Sequence, residues 1–243
     1  MGLISKYFKN TDNEDIQVFQ SSLTAQQRED AVIKAHSISS SASEIDVNVL
    51  KSKKNAIKIA FLGDSITAEA NSTLGYRNRG YAIWTMELLK WDFENVGIFG
   101  YPGYNTLQVY GQIQNVIDSG AEICVVLTGT NDMGQTTPLD TVKTHYDSII
   151  NTLNDNKIIP IFLSIFPNNL QTLANNMRGV EFNNYLKIQQ SLGKIFFITT
   201  REYIATSDST IQANKTYDGV HTSSLGAYSI AVPVSNFLKN MFP

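Results

Sequence analysis

Three side chains in the sequence could together perform nucleophilic chemistry on a carbonyl carbon. Ser65 directly follows a run of apolar residues, in the segment GDSIT (63–67). Near the C-terminus, Asp218 and His221 stand three residues apart in the segment DGVH. An aspartate so placed can accept the imidazole Nδ1–H and leave Nε2 free to take a proton from a serine hydroxyl. These residue types predict acyl transfer with Ser65 as nucleophile, His221 as general base and Asp218 as its orienting partner.

Two further segments contain groups that could stabilise a developing negative charge on oxygen. In GYPGYNT (100–106), a glycine could bring a backbone N–H close to a ligand, because it has no Cβ in the way. In TGTND (128–132), the side-chain amide of Asn131 could donate to the same oxygen. Turns and helix caps use the same residue types, so the prediction rests on their joint occurrence.

The hydrophobic pattern predicts the elements that position these residues. Apolar runs predict five strands, at 57–62, 93–98, 122–127, 158–165 and 195–199. Helical spacing of apolar residues predicts helices between and after them, at 81–90, 107–117, 139–153, 180–192 and 224–239. Strands that alternate with helices indicate an α/β fold, with a parallel sheet covered on both faces. In such sheets ligands bind at the carboxyl ends of the strands, where the first three segments stand.

The four segments resemble the sequence blocks of the SGNH hydrolases, also called the GDSL esterase/lipase family. GDSI (63–66) is similar to the first block with Ile in place of Leu, and GTND (129–132) and DGVH (218–221) match the third and fourth blocks fully. GYPGYNT is similar to the second block and places the oxyanion glycine at Gly103, with Gly100 as the runner-up. The resemblance covers about residues 57–242.

The resemblance implies a flavodoxin-like three-layer α/β/α fold with a five-stranded parallel sheet, no cofactor and no metal. It also implies that Ser65, Asp218 and His221 form a catalytic triad. The backbone N–H groups of Ser65 and Gly103 and the side chain of Asn131 would then form the oxyanion hole.

Residues 1–54 differ from the rest of the chain, because a run with five serines (37–43) suggests a flexible joint. We expect residues 1–54 to be an arm that packs on the main domain or mediates homo-oligomerisation, and residues 55–243 to be an SGNH-type esterase domain. The chain starts without an apolar segment typical of a signal peptide. We therefore expect a soluble protein, cytoplasmic as made. A polar arm before an esterase domain also resembles esterase modules of phage tail proteins, which leaves a virion-associated or extracellular location open.

Composition argues against several classes of partner. The net charge is −3 and only 17% of residues are charged, which does not favour a nucleic-acid partner. No apolar stretch approaches the roughly 20 residues needed to span a bilayer, so no membrane partner is expected.

The single cysteine, Cys124, lies in an apolar run and is predicted to be buried and structural. Of the three histidines, His36 and His145 are expected to be solvent-exposed or structural.

The residues around the predicted site favour a polar substrate. Tyrosine faces and arginine forks suit sugar rings and polar groups better than a long acyl chain; they are Tyr76, Arg77, Arg79, Tyr81, Tyr101, Tyr104 and Tyr217. We expect Tyr104, Asp64 and Tyr217 to contact a small-molecule or polysaccharide ester, and the leading hypothesis is a carbohydrate O-acetylesterase. The alternatives are a lysophospholipase or thioesterase, and a catalytically inactive glycan-binding or structural module.

Overall fold

A computed structural model describes residues 56–69 and 80–242. The predicted arm, residues 1–54, lies outside the described residues, as do Tyr76, Arg77 and Arg79. The expected division into an arm and an esterase domain therefore stays a prediction.

Five parallel strands form the central sheet, and they end close to where the sequence predicts. They are β1 (Ile57–Gly63), β2 (Phe93–Gly100), β3 (Ile123–Leu127), β4 (Ile159–Leu163) and β5 (Phe196–Ile198). Their order, β2-β1-β3-β4-β5, is that of flavodoxin-like sheets and confirms the predicted fold class. Gly63 pairs with both Gly100 and Leu127, so the carboxyl ends of the three strands lie level at one edge.

Helices connect the strands and cover both faces of the sheet. They are α1 (Ser65–Ala68), α2 (Tyr81–Leu89), α3 (Thr106–Tyr110), α4 (Ile113–Asp118), α5 (Thr130–Gly134), α6 (Leu139–Asp155), α7 (Leu173–Ser191) and α8 (Ser224–Met241). A small antiparallel hairpin that the sequence pattern did not predict joins β6 (Ala205–Ser207) and β7 (Thr210–Ile211). None of the described helices is long and apolar enough to cross a membrane.

The sheet divides the core into two apolar layers, because successive side chains of a strand point to opposite faces. Ile59 and Phe61 of β1 pack in the layer formed with α2 and α8. Ala60 and Leu62 pack in the other layer, with α3, α4, α6 and α7. Cys124 belongs to this second layer and is fully buried, which confirms the prediction for its thiol.

Two of the predicted helices differ from the structure. The single helix predicted at 107–117 is two helices, because α3 ends at Tyr110 and the chain turns at Gly111 and Gln112 before α4 begins. The helix predicted at 180–192 begins earlier, at Leu173, where the Thr172 side chain caps it. Its first turns contain few apolar residues, so the hydrophobic pattern could not show them.

Candidate active site

Ser65 is the first residue of α1 and stands at the carboxyl end of β1. The preceding Gly63 is required for packing, since a Cβ there would lie 2.0 Å from the backbone oxygen of Leu127. Asp64 caps the helix by accepting the N–H of Ile66 at 3.1 Å. Asp64 and Ile66 are buried whereas Ser65 is partly exposed. The local fold therefore presents the serine hydroxyl at the edge where ligands bind in this class of sheet.

The structure brings the three predicted triad residues into one hydrogen-bonded chain. His221 Nε2 lies 3.0 Å from Ser65 Oγ, and His221 Nδ1 lies 2.6 Å from Asp218 Oδ2. The second carboxylate oxygen of Asp218 accepts the backbone N–H groups of Val220 and His221, at 2.8 and 2.7 Å. These bonds orient the carboxylate toward the imidazole before any substrate is bound.

The electrostatics of Asp218 fit this geometry. Partial burial opposes ionisation, but hydrogen bonds from the His221 side chain and from the backbone outweigh it and lower the pKa of Asp218. Asp218 is consequently ionised at neutral pH, and an adjacent negative charge stabilises an imidazolium. The pair can thus hold a proton taken from Ser65.

A tight turn follows β2, and its first residue, Tyr101, donates its N–H to the carbonyl of Gly63 at 3.0 Å. The N–H of Tyr104 donates to the carbonyl of Tyr101 at 3.2 Å, with Pro102 and Gly103 at the two central positions. Gly103 has φ +78°, as the third residue of a type II turn requires. The Asn131 amide donates to the Tyr104 carbonyl at 2.8 Å through one of its two hydrogens. The turn and Asn131 are therefore in direct contact.

The two candidate oxyanion glycines have different surroundings. A Cβ on Gly100 would lie 2.1 Å from the backbone nitrogen of Ala68, so packing of β2 against α1 explains this glycine. A Cβ on Gly103 would meet nothing within 4 Å. The N–H of Gly103 is not used by its own turn. This difference favours Gly103 as the donor.

Asp132 anchors the end of the same loop, a role that the sequence did not predict. The carboxylate is fully buried and accepts both the backbone N–H and the hydroxyl of Thr106, at 2.9 and 2.8 Å. His145 Nδ1 lies 3.0 Å from the same hydroxyl. Because that hydroxyl donates its only hydrogen to the carboxylate, His145 must donate to the hydroxyl oxygen. His145 is thus partly buried and hydrogen-bonded within the fold, not part of the Ser65 chain.

The structure corrects the expectation that Asp64 contacts substrate. Asp64 is 1% exposed, and its carboxylate caps α1 from beneath the serine. Burial raises the pKa of Asp64 to about 7. The other two residues predicted to contact substrate are partly or well exposed: Tyr104 stacks on Tyr101 with ring centroids 5.2 Å apart, and Tyr217 is 50% exposed.

Tyr217 and a second buried carboxylate lie beside His221. The tyrosine ring stacks on the imidazole, with centroids 5.8 Å apart and the planes 13° from parallel. The Tyr217 hydroxyl donates to Glu69 Oε1 at 3.1 Å, and the Thr222 hydroxyl donates to Glu69 Oε2 at 2.7 Å. Sequence analysis missed Glu69 and Thr222. The only sequence signal was their proximity to Ser65 and His221, four and one residues away.

Within the part of the chain that the structure describes, no group of three or more His, Cys, Asp or Glu side chains could hold a metal ion.

The chain is similar to known proteins in both sequence and structure. The model of the GDSL-like lipase/acylhydrolase family matches residues 61–227. No curated protein matches the chain. A GDSL-like lipase from Bacteroides thetaiotaomicron is 18% identical, with a TM-score of 0.61 over 86% of this chain and 98% of that one. An acetylxylan esterase from Geobacillus stearothermophilus, in its histidine variant, is 17% identical, with a TM-score of 0.61 over 77% of this chain and 94% of that one.

The TM-scores show a shared fold, and the family match covers well over half of the chain. The chain therefore belongs to the GDSL-like lipase/acylhydrolase family, and it is a hydrolase that acts on ester bonds.

Proposed function

We propose that the protein hydrolyses carboxylic esters through an acyl-enzyme on Ser65. His221 takes the Ser65 proton as the oxygen attacks the ester carbonyl, and then gives that proton to the departing alcohol. A water molecule, deprotonated by His221, attacks the acyl-enzyme and releases the acid and the free serine. The observation that supports this best is the chain of contacts from Ser65 Oγ to His221 Nε2, at 3.0 Å, and from His221 Nδ1 to Asp218, at 2.6 Å.

A related protein supports the assignment of the base and its partner. Two structures of the Geobacillus acetylxylan esterase are catalytic mutants, one at a histidine and one at an aspartate three residues before it. Asp218 and His221 have the same spacing. We assign the oxyanion hole to the N–H groups of Ser65 and Gly103 and to the second amide hydrogen of Asn131. Such donors act in preorganised positions, and the loss of one typically lowers turnover by about 10²–10³.

For the substrate we propose an O-acetylated carbohydrate. Tyr217 is 50% exposed although its ring stacks on the imidazole of His221, so an aromatic side chain borders the base. Apolar faces of sugar rings pack on such surfaces, and the tyrosine is held in place by its hydroxyl. A protein of similar fold, the acetylxylan esterase from Geobacillus stearothermophilus, supports this choice of substrate.

The test is hydrolysis of p-nitrophenyl esters from acetyl to octanoyl, followed by acetate release from acetylated xylan, with Ser65→Ala as the matched control. We expect acetate to be turned over fastest, acetate to be released from the polymer, and Ser65→Ala to be inactive with an unchanged melting temperature. Substantial activity in that variant would overturn the assignment of Ser65 as the nucleophile. A preference for octanoyl over acetyl esters would overturn the proposal of a carbohydrate substrate.

A second candidate, hydrolysis of lipid or thioester substrates, is favoured by one group of exposed apolar side chains. Leu170, Leu173 and Met177 are 74%, 60% and 42% exposed. Leu170 lies beside Gly219, next to Asp218, since a Cβ on that glycine would be 3.7 Å from it. If this group binds acyl chains, Leu170→Ser should lower the rate on octanoyl esters and leave the rate on acetyl esters unchanged.

A further inference from the structure

One buried carboxylate contacts both ends of the segment that holds the general base. We call residues 216–222 the base loop. Glu69 is 1% exposed and follows directly after α1, where its N–H donates to the Ser65 carbonyl at 3.1 Å. Its two carboxylate oxygens accept the hydroxyls of Tyr217, before the Asp218–His221 segment, and Thr222, directly after it.

The base loop is closed by its own hydrogen bonds. The Thr216 hydroxyl donates to the His221 carbonyl at 2.7 Å and accepts the Gly219 N–H at 2.8 Å. Thr216 and Thr222 also form an antiparallel bridge. The loop is therefore internally fixed, and the two bonds to Glu69 join it to the short helix that carries Ser65.

The free-energy cost of burying the Glu69 carboxylate indicates that this side chain does more than fill space in the core. A buried carboxylate is costly unless hydrogen bonds satisfy it, and an apolar residue of similar volume would usually pack there at lower cost. Here each oxygen has a hydroxyl donor from a different end of the same loop. The carboxylate thus fixes two points of the loop relative to the backbone of Ser65.

We propose that Glu69 is a positioning residue that sets the distance between Ser65 Oγ and His221 Nε2 by holding the base loop on α1. The inference rests on the proposed function, because it assumes that Ser65 and His221 react as a pair. Glu69 also holds the Tyr217 ring on the imidazole, which restrains rotation of the base. A misplacement of about 1 Å in such a pair can cost on the order of 10²-fold in rate.

The test measures how fast a fluorophosphonate labels Ser65, because this reaction needs the activated serine but no particular acyl group or sugar. The Ser65 Oγ–P bond forms, the P–F bond breaks, fluoride leaves and His221 takes the serine proton. Glu69→Gln keeps the volume of the side chain but leaves one carbonyl oxygen as acceptor. Thr222→Val removes one donor, and Thr222→Ser restores it. Thr85→Val is the control, since Thr85 is equally buried and its hydroxyl has no partner among the described residues.

We expect labelling to slow by about 10- to 100-fold in Glu69→Gln and Thr222→Val. We expect it to stay within about twofold of wild type in Thr222→Ser and Thr85→Val. Ester hydrolysis should show the same losses in kcat with little change in KM. If Glu69→Gln does not fold, the matched pair at Thr222 decides.

Two results would overturn the inference in distinguishable ways. Wild-type labelling rates in folded Glu69→Gln and Thr222→Val, even with lower melting temperatures, would show that Glu69 only stabilises the fold. Failure of the reagent to label Ser65 in the wild type would overturn the proposed function and this inference with it.

Discussion

The two loops beside Ser65 are held in different ways. On one side, the base loop (216–222) is attached to α1 through the side-chain hydroxyls of Tyr217 and Thr222, which donate to the buried Glu69. The side chains of His221 and Asp218 remain 24% and 38% exposed. On the other side, the turn at 101–104 is joined to the core by Asn131 and by the fully buried Asp132, which holds Thr106 at two points.

The difference matches what each side is proposed to do. A base must exchange protons with substrate and water, so its loop needs access to solvent and a fixed imidazole. Oxyanion donors act by not having to reorganise as charge develops, so an attachment made through the main chain, at the Tyr104 carbonyl and the Thr106 N–H, suits them. Changes on the base side should therefore affect proton transfer, and changes on the oxyanion side should affect stabilisation of the transition state.

Among changes to the two loops, the largest effect is expected at Asp218. In Asp218→Asn, the new amide can keep accepting the two backbone N–H groups and must then point its NH₂ at His221 Nδ1. This favours the imidazole tautomer with hydrogen on Nε2, which cannot accept the Ser65 proton, so kcat should fall by about 10³–10⁴. Steady-state kinetics on p-nitrophenyl acetate measure this. A loss below tenfold would mean that Asp218 does not orient the base.

Asn131→Ala tests the oxyanion side. Turnover should fall by about 10²–10³ while KM changes little, because the amide acts on charge that appears only in the transition state. Labelling of the variant by the fluorophosphonate, in which an anionic oxygen also forms, should slow as well. An increase in KM alone would instead place Asn131 in ground-state binding.

The attachment of the turn is tested by a matched pair at Thr106. Thr106→Val removes the hydroxyl that donates to Asp132 and accepts from His145, and Thr106→Ser keeps it. We expect kcat to fall by roughly tenfold in the first variant and to stay near wild type in the second. Combining Thr106→Val with Asn131→Ala should cost less than the product of the two losses, because both act on the same donors. If the loss in the double variant equalled the product of the two single losses, the attachment at Thr106 would act independently of the oxyanion hole.

The smallest expected effect is on stability and comes from Asp64, which is buried beneath Ser65. Burial raises the pKa of Asp64 to about 7, above its ordinary value of 3.8. A raised pKa means that the folded state keeps the proton longer, so this contribution to stability is present at low pH and lost as pH rises through 7. Thermal melts should show that the melting temperature falls less between pH 5 and pH 8 in Asp64→Asn than in wild type. Equal drops would mean that Asp64 does not titrate in this range.

Much of this arrangement could be predicted from the sequence because it is local. The apolar run before Ser65 predicts β1, and the spacing of Asp218 and His221 is short enough for one loop to bring them together. The bonds that attach the loops are of another kind. Tyr217 is 148 residues from Glu69, and Thr106 is 26 from Asp132. The hydrophobic periodicity of the sequence cannot predict such contacts, since they form only after the strands have aligned.

The burial of Cys124 in β3 makes its thiol a built-in probe for opening of the central sheet. It is the only cysteine in the sequence, it is fully buried, and burial raises the pKa of its thiol far above the usual range. A thiol reagent can therefore reach it only when the central sheet opens, and the rate of modification reports that event. Thiol trapping of each variant would separate a lost reaction from a loosened fold, without a second probe being introduced.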